Sequence, residues 1–239
     1  MNVPAVANPR RRAFLFVPPP SFAEVCPERA GCQNPLMPGR IEDAGAALKE
    51  LYARRDGVLA LGETVTPIRF IIDGRAGRII TPAARHVLDH AEGTLFVPDE
   101  GERSVQLMVE ISAADPIADG EACDRWQAYH IRPTGPLWAQ MRVSGMRHGA
   151  TVLDEGDIDL RNPLIGDEPK LCRELNADRP GVVRALARVK VDETEPTAVG
   201  VDALGIDVRC RIGIVRLAFN SMVLTAEAAR FEIARILRA

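Results

Sequence analysis

Lysine is nearly missing from this chain: Lys49, Lys170 and Lys190 are the only three among 30 basic residues. An arginine excess of that kind reads as a coding bias and carries no function by itself. Net charge is also small, −3 at pH 7, which removes any bulk electrostatic case for nucleic acid or an anionic membrane. No apolar run reaches the roughly 20 residues that a membrane-spanning helix needs. Arg10, Arg11 and Arg12 precede the apolar run AFLFV, as at the start of an export signal, but Pro18, Pro19 and Pro20 end that run too soon. The expectation is a cytoplasmic protein. Cysteine is sparse and odd in number, with Cys26, Cys32, Cys123, Cys172 and Cys210 scattered along the chain. The CPERAGC spacing of the first two fits neither a redox pair nor a zinc knuckle, so all five read as ordinary thiols in a reducing compartment. A Walker loop, a dinucleotide GxGxxG after a strand, a GxSxG elbow, an HExxH pattern, an EF-hand spacing and an internal repeat are all lacking. Those absences exclude the function classes that carry such signatures.

What remains is ordinary globular material: 239 residues, 46% hydrophobic and 26% charged, enough for one large domain or two small ones with a sizeable core. Residues 1–40 are proline-rich and without periodicity, and read as an irregular arm. A helix is expected from Ile41 to Arg55, with Ala44, Leu48, Leu51 and Tyr52 as its apolar stripe. The period then changes. Val58 to Leu61 reads as a strand. Thr66 to Ile72 alternates, with Ile68, Phe70 and Ile72 on one face and Arg69 on the other. Asp73-Gly74 turns the chain, and Arg78 to Thr81 returns as the partner strand. Thr81-Pro82 has the form of a helix start, Thr as N-cap and Pro at the first helical position, for a helix running to about Glu92. Ser104 to Ile111 alternates strictly, Glu121 to His130 is helical, and Leu137 to Val143 and Ala150 to Leu153 are strands. Arg161 to Pro169 is the best internal boundary. Beyond it come a helix from Glu168, restarted at Pro180 and running to Val189, then strands at Thr197 to Val201, Ile206 to Arg211 and Ile214 to Phe219. A last helix is capped by Thr225.

The order of the first strands, the TPAAR segment and VPDEGERSVQLMVEIS resembles the FMN-binding split barrels of the pyridoxamine 5'-phosphate oxidase superfamily. PLWAQMRVSGMRHGATVLDEGDI is similar to the late strands of its haem-utilisation branch. ELNADR at Glu174 to Arg179, GVDALGIDV at Gly200 to Val208, VRLAF and the final helix resemble the small domain appended to those barrels. The resemblance covers roughly residues 41–239. It implies an α+β protein: a split β-barrel at 41–163 followed by a small α-β-β-β-α domain at 164–239. It further implies a homodimer, a small-molecule cofactor that is FMN or alternatively haem, and either an FMN-dependent oxidoreductase or a non-catalytic haem- or protein-binding module that has lost flavin. Two departures stand out. The places where the family carries histidines around Asn-Ala-Asp hold Glu174 and Arg179, and the barrel lacks a clean run of phosphate-directed Arg, Ser and Lys.

The physical candidates centre on one helix start. Unpaired N–H groups and a partial positive charge at a helix N-terminus attract anions. Arg78, Thr81 and Arg85 gather around the expected start at Thr81, and Arg69 projects from the neighbouring strand. By resemblance, Arg69, Thr81, Arg85 and Gln106 fall near positions that contact FMN. The alternative is that Thr81 only caps and the arginines are solvated. His86 and His90 share a helical face, and His148 is a further candidate haem ligand, but no third metal ligand is evident. No metal site and no catalytic side chain can be named. Trp126, Tyr129 and Trp138 serve either to stack on a flat ring or as core or dimer interface, and Asp154, Glu155, Asp157 and Asp159 read as a solvated turn.

Overall fold

A computed structural model describes residues 38–101, 104–133, 135 and 137–238. All but the last three residues of the proline-rich arm, with Cys26 and Cys32, lie outside that set. Helix α1 spans Pro38–Tyr52, and strands β1 (Asp56–Leu61), β2 (Thr64–Arg69), β3 (Ile71–Asp73) and β4 (Arg78–Ala83) follow. Then come a four-residue helix α2 (Arg85–Leu88), β5 (Glu92–Val97), β6 (Val105–Ala113), α3 (Gly120–His130), β7 (Leu137–His148) and β8 (Thr151–Asp154). The C-terminal layer holds α4 (Glu168–Ala177), α5 (Arg179–Arg188), β9 (Thr197–Asp202), β10 (Gly205–Cys210), β11 (Gly213–Ala218) and α6 (Ala226–Arg238). The described residues fall in one compact unit, and among them no helix is long and apolar enough to cross a membrane.

Eight strands form one antiparallel sheet in the order β2-β1-β5-β6-β7-β4-β3, with β8 on β7. Its two ends, β2 and β3, are consecutive in the chain and separated only by Phe70. A sheet whose opposite edges are joined by one residue has to curl on itself, which makes this an incompletely closed, split barrel. Ile68, Phe70 and Ile72 all enter the barrel core, as the alternation predicts. The single expected strand from Thr66 to Ile72 is nevertheless two strands, because the chain changes edge at Phe70. Leu51 and Tyr52 of α1 join the same core, together with Leu59, Leu95, Leu107, Val109 and Met141. The fold is α+β, the barrel being followed by a three-stranded sheet with helices.

One expectation fails in this region. The helix from Thr81 to Glu92 does not form: Thr81 and Pro82 belong to β4, paired with Ala139 and Trp138 of β7. Pro82 lies beyond Ile80, the last β4 residue that pairs with β3, so one edge there is free of a strand and its missing N–H is tolerated. Only Arg85–Leu88 is helical, with Ala84 at the N-cap and no side-chain cap. The stretch after it contains β5, a strand that was not expected from the sequence.

The sheet of order β11-β10-β9 completes the fold. Ile206, Val208 and Cys210 of β10 face a cluster that includes Leu171, Leu175 and Leu186 from α4 and α5 and Leu237 from α6. The opposite face meets α3: Val199 and Ile214 pack on a cluster of Trp126, Tyr129, Trp138, Ile71 and Ile80. It is therefore the sheet, and not the C-terminal helices, that docks on the barrel side.

Candidate functional site

The predicted anion-binding residues are dispersed by strand parity. In β4, Ile79 and Ala83 enter the barrel core, so Thr81 between them points inward, whereas Arg78 and Ile80 point to the outer face. Thr81 is 1% exposed, and its hydroxyl donates to the Arg69 carbonyl at 2.8 Å. It caps nothing and faces no solvent. Arg85 is the exposed first residue of the four-residue α2, too short to present a helical anion site. Arg69 is exposed at the end of β2, on the outer face. Gln106 also faces outward from β6, but three strand spacings away, roughly 14 Å. Gln106 pairs with Arg147, whereas Ile79 beside Arg78 pairs with Met141, which separates Gln106 from Arg78 by roughly 20 Å. The five residues do not converge on one phosphate.

Arg78 alone of the five lines the larger cleft, of about 540 Å³, with Glu92, Glu110, Ser112, Gln140 and Arg142. Its guanidinium is already engaged. Nε donates to Asp73 at 3.1 Å, Nη2 to Asp119 at 2.6 Å, and Nη1 to the Gln140 side chain. Burial works against its charge, but its hydrogen bonds to Asp119 and Asp73 prevail and hold its pKa above the ordinary arginine value. Across the cleft, Arg142 is clamped by Glu110 at 2.7 Å and paired with Glu155. The cleft is thus lined by cations whose carboxylate partners are built in.

Among the described residues, the histidines and cysteines do not supply a reactive centre. His86 and His90 do not share a helix, because α2 ends at Leu88. The His86 ring lies 3.3 Å from the Thr66 hydroxyl. His130 is held against the Phe70 carbonyl at 3.1 Å and lies tilted against Trp126, ring centroids 4.7 Å apart. None of the four histidines lines this cleft. Among the described residues no group of three or more His, Cys, Asp or Glu could hold a metal ion. Burial pushes the Cys172 thiol up to about 12 and the Cys210 thiol to about 11, and raises Cys123 as well, so these sulfurs stay protonated and inert. Trp126, Tyr129 and Trp138 are buried core, with the two indoles edge to face at 5.7 Å.

The densest polar constellation was not foreseen. Arg55, just after α1, reaches Asp207 of β10 at 2.5 Å, and Arg216 of β11 bonds both Asp207 at 3.0 Å and Asp202. Tyr129 of α3 donates its hydroxyl to Asp207 at 3.0 Å. Alongside, Arg125 of α3 grips Glu168 of α4 through two bonds of 2.6 Å, and Glu168 also accepts from the Val201 N–H at 3.0 Å. Three arginines and three carboxylates thus bind the barrel to the C-terminal layer with balanced charge. Burial alone would push the Asp207 carboxyl up, but the Arg55 and Arg216 guanidinia and their hydrogen bonds hold it below the usual range. Burial, followed by the Asp207 charge, raises Tyr129 well above an ordinary phenol, so its hydroxyl remains a donor. A signal existed in GIDVRC: with Ile206 and Val208 on one face, Asp207 must lie on the other. Its partners, 152 residues away in the case of Arg55, had none.

No protein-family profile matches the chain, and no curated protein does. Among solved structures it is similar to a protein of unknown function from Agrobacterium tumefaciens str. C58, with a TM-score of 0.64 and 16% identity over 87% of this chain and 100% of that one. At that identity the likeness is one of fold. Looser likenesses are to a heme binding protein from Mycobacterium smegmatis (TM-score 0.38, 16% identity, 85% and 98% covered) and to a provisionally assigned pyridoxamine 5'-phosphate oxidase from Listeria innocua (TM-score 0.35, 12% identity, 44% and 96% covered).

Proposed function

We infer that the chain is a non-catalytic binding protein on a split-barrel scaffold, in which the flavin-phosphate arrangement implied by the resemblance is not assembled. The observation that carries this reading is Arg78: all three guanidinium nitrogens already serve Asp73, Asp119 and Gln140. The inward turn of Thr81 and the distance of Gln106 support it. So do the protonated thiols and the engaged His130 ring, which offer neither a nucleophile nor a free ligand at a cleft.

The partner on this reading is a second copy of the chain. The outer barrel face runs, strand by strand, through Pro67, Val58, Phe96, Gln106, Arg147 and Val152. Pro67, Arg147 and Val152 are exposed and the rest half-buried, while the outer face of β4 is covered by α3. Arg147 and the exposed Asp154 share that outer face, so a two-fold arrangement can set each against the other's copy.

The visible spectrum and an FMN fluorescence titration test the first part. A colourless protein that leaves FMN unquenched at micromolar concentration is expected; a yellow protein or saturable quenching overturns the reading. Light scattering tests the second. The expected mass is twice the 26.0 kDa of one chain, and a monomer mass at micromolar concentration removes the dimer.

A further inference from the structure

A second cleft, of about 420 Å³, opens among the helices of the C-terminal layer, within the size range of small-molecule sites. Glu174 of α4, Arg184 of α5, and Arg230, Ile233, Leu237 and Arg238 of α6 line it, with Asp178 at the α4–α5 junction. Its floor is apolar: Leu237 is buried and Ile233 is half-buried against the same core. Three guanidinia surround that floor.

Their states differ in an informative way. Arg230 is gripped by Glu174 through Nε at 2.9 Å and Nη2 at 3.0 Å. That grip fixes the plane of the guanidinium and leaves both Nη1 hydrogens and one on Nη2 unengaged. Arg184 and Arg238 are exposed and have no ion pair or hydrogen bond to any described residue. Asp178, whose carboxylate accepts the Gly181 N–H at 3.1 Å as the cap of α5, and Glu174 bring two negative charges against the three positive ones. The lining therefore carries one fixed and two free cations over an apolar floor, against Glu174 and a committed cap. The lining keeps an excess of positive charge, which a bound anion offsets. The planar fork of arginine suits phosphate and carboxylate oxygens alike.

We propose that this cleft binds a small organic anion, a phosphate or carboxylate carried on an apolar body. Arg184, Arg230 and Arg238 hold the anionic group, and Ile233 and Leu237 take the body. Glu174, one of the two residues that stand where the resembled family carries histidines, is a positioning residue: it aims Arg230. An inorganic ion leaves the floor uncovered and binds more weakly. The site is separate from the barrel cleft and does not depend on the flavin question.

The test is a titration of the full-length, nitrogen-labelled protein with phenyl phosphate, phenylacetate and inorganic phosphate, followed through the arginine Nε–H signals. Saturable shifts confined to Arg184, Arg230 and Arg238 are expected with at least one of the two aromatic anions, about tenfold tighter than with inorganic phosphate. The stronger of the two identifies the anionic group. Arg184→Gln/Arg238→Gln is expected to weaken that binding by about tenfold or more with an unchanged melting profile, since both side chains are exposed. Glu174→Gln is expected to weaken it and to broaden the Arg230 signal. Absence of saturation at about 10 mM of either aromatic anion overturns the proposal. So does an affinity that the double variant leaves unchanged.

Discussion

Arg55 shows how a single side chain can bind distant parts of one chain. Its Nη1 donates to the carbonyls of Tyr52 and Arg54, and its Nη2 meets Asp207. A buried pair of this kind contributes less than its Coulomb attraction suggests, because both ions have left water. Removing one partner is a different matter, since the other is then stranded. Arg55→Leu is expected to cost about 3–5 kcal/mol, read as a lower denaturation midpoint. A loss below about 1 kcal/mol would mean that Arg216 alone suffices for Asp207. His130 carries a second residue-scale prediction. Burial lowers its pKa below the ordinary histidine value, although the Phe70 carbonyl works the other way. The unfolded chain then binds the proton more readily, so stability is full above about pH 6.5 and falls as pH drops toward the depressed folded value. Asp207, held low in the fold, adds its loss only below about pH 4, as its own proton returns. Denaturation midpoints measured from pH 7 to 5 are expected to decline in the wild type and to stay flat in His130→Gln.

Among the elements, α3 holds the point where the barrel changes edge. Trp126 Nε1 donates to the Arg69 carbonyl at 2.9 Å, and His130 holds that of Phe70, so the crossing from β2 to β3 is secured from outside. Strand β9 approaches the same helix closely. A Cβ placed on Gly200 would lie 1.9 Å from the Tyr129 hydroxyl, itself fixed by Asp207. Gly200→Ala is therefore expected to destabilise by about 1–3 kcal/mol, measured by urea unfolding, because the layer must move or the Tyr129–Asp207 bond must break. These elements were mostly legible in the sequence. Arg78 to Ile80 pairs with Ile71–Asp73 as the hairpin signal implied, and Thr225 does cap the last helix by accepting the Ala228 N–H at 3.3 Å. The TPAAR segment misled because a Thr-Pro pair serves equally at a helix start and in a strand with one free edge; pairing to β7 settled it.

At the scale of the molecule, the barrel and the C-terminal layer meet through charges that belong to both. Glu168, Asp202 and Asp207 lie in the layer, and their partners Arg55 and Arg125 lie outside it. Asn162, in the connecting segment, ties the two together by donating to the Val201 carbonyl at 2.9 Å and, through its backbone, to that of Gly74 at 2.8 Å. A fragment of residues 164–239 would expose the Ile214 and Val199 face and leave those carboxylates partly unpaired. Expressed alone, it is expected to lack cooperative unfolding by circular dichroism, while the full chain unfolds in one transition. A stable, soluble fragment would show that the interface is dispensable.

By itself the sequence determined the local elements: the alternation of Ile68, Phe70 and Ile72, the apolar stripe of α1, and the helix–strand–strand–strand–helix order at the end of the chain. Periodicity suffices for these because burial of one face is a local requirement. Which candidate residues share a site was decided only in three dimensions. Thr81 and Arg78 are three residues apart, and the pleat sends them to opposite faces; Arg55 and Asp207 are 152 apart, and the fold brings them to 2.5 Å. Charged partners across such separations leave no periodic trace, because a buried ion pair needs only one residue from each side and any turn of the backbone can deliver it.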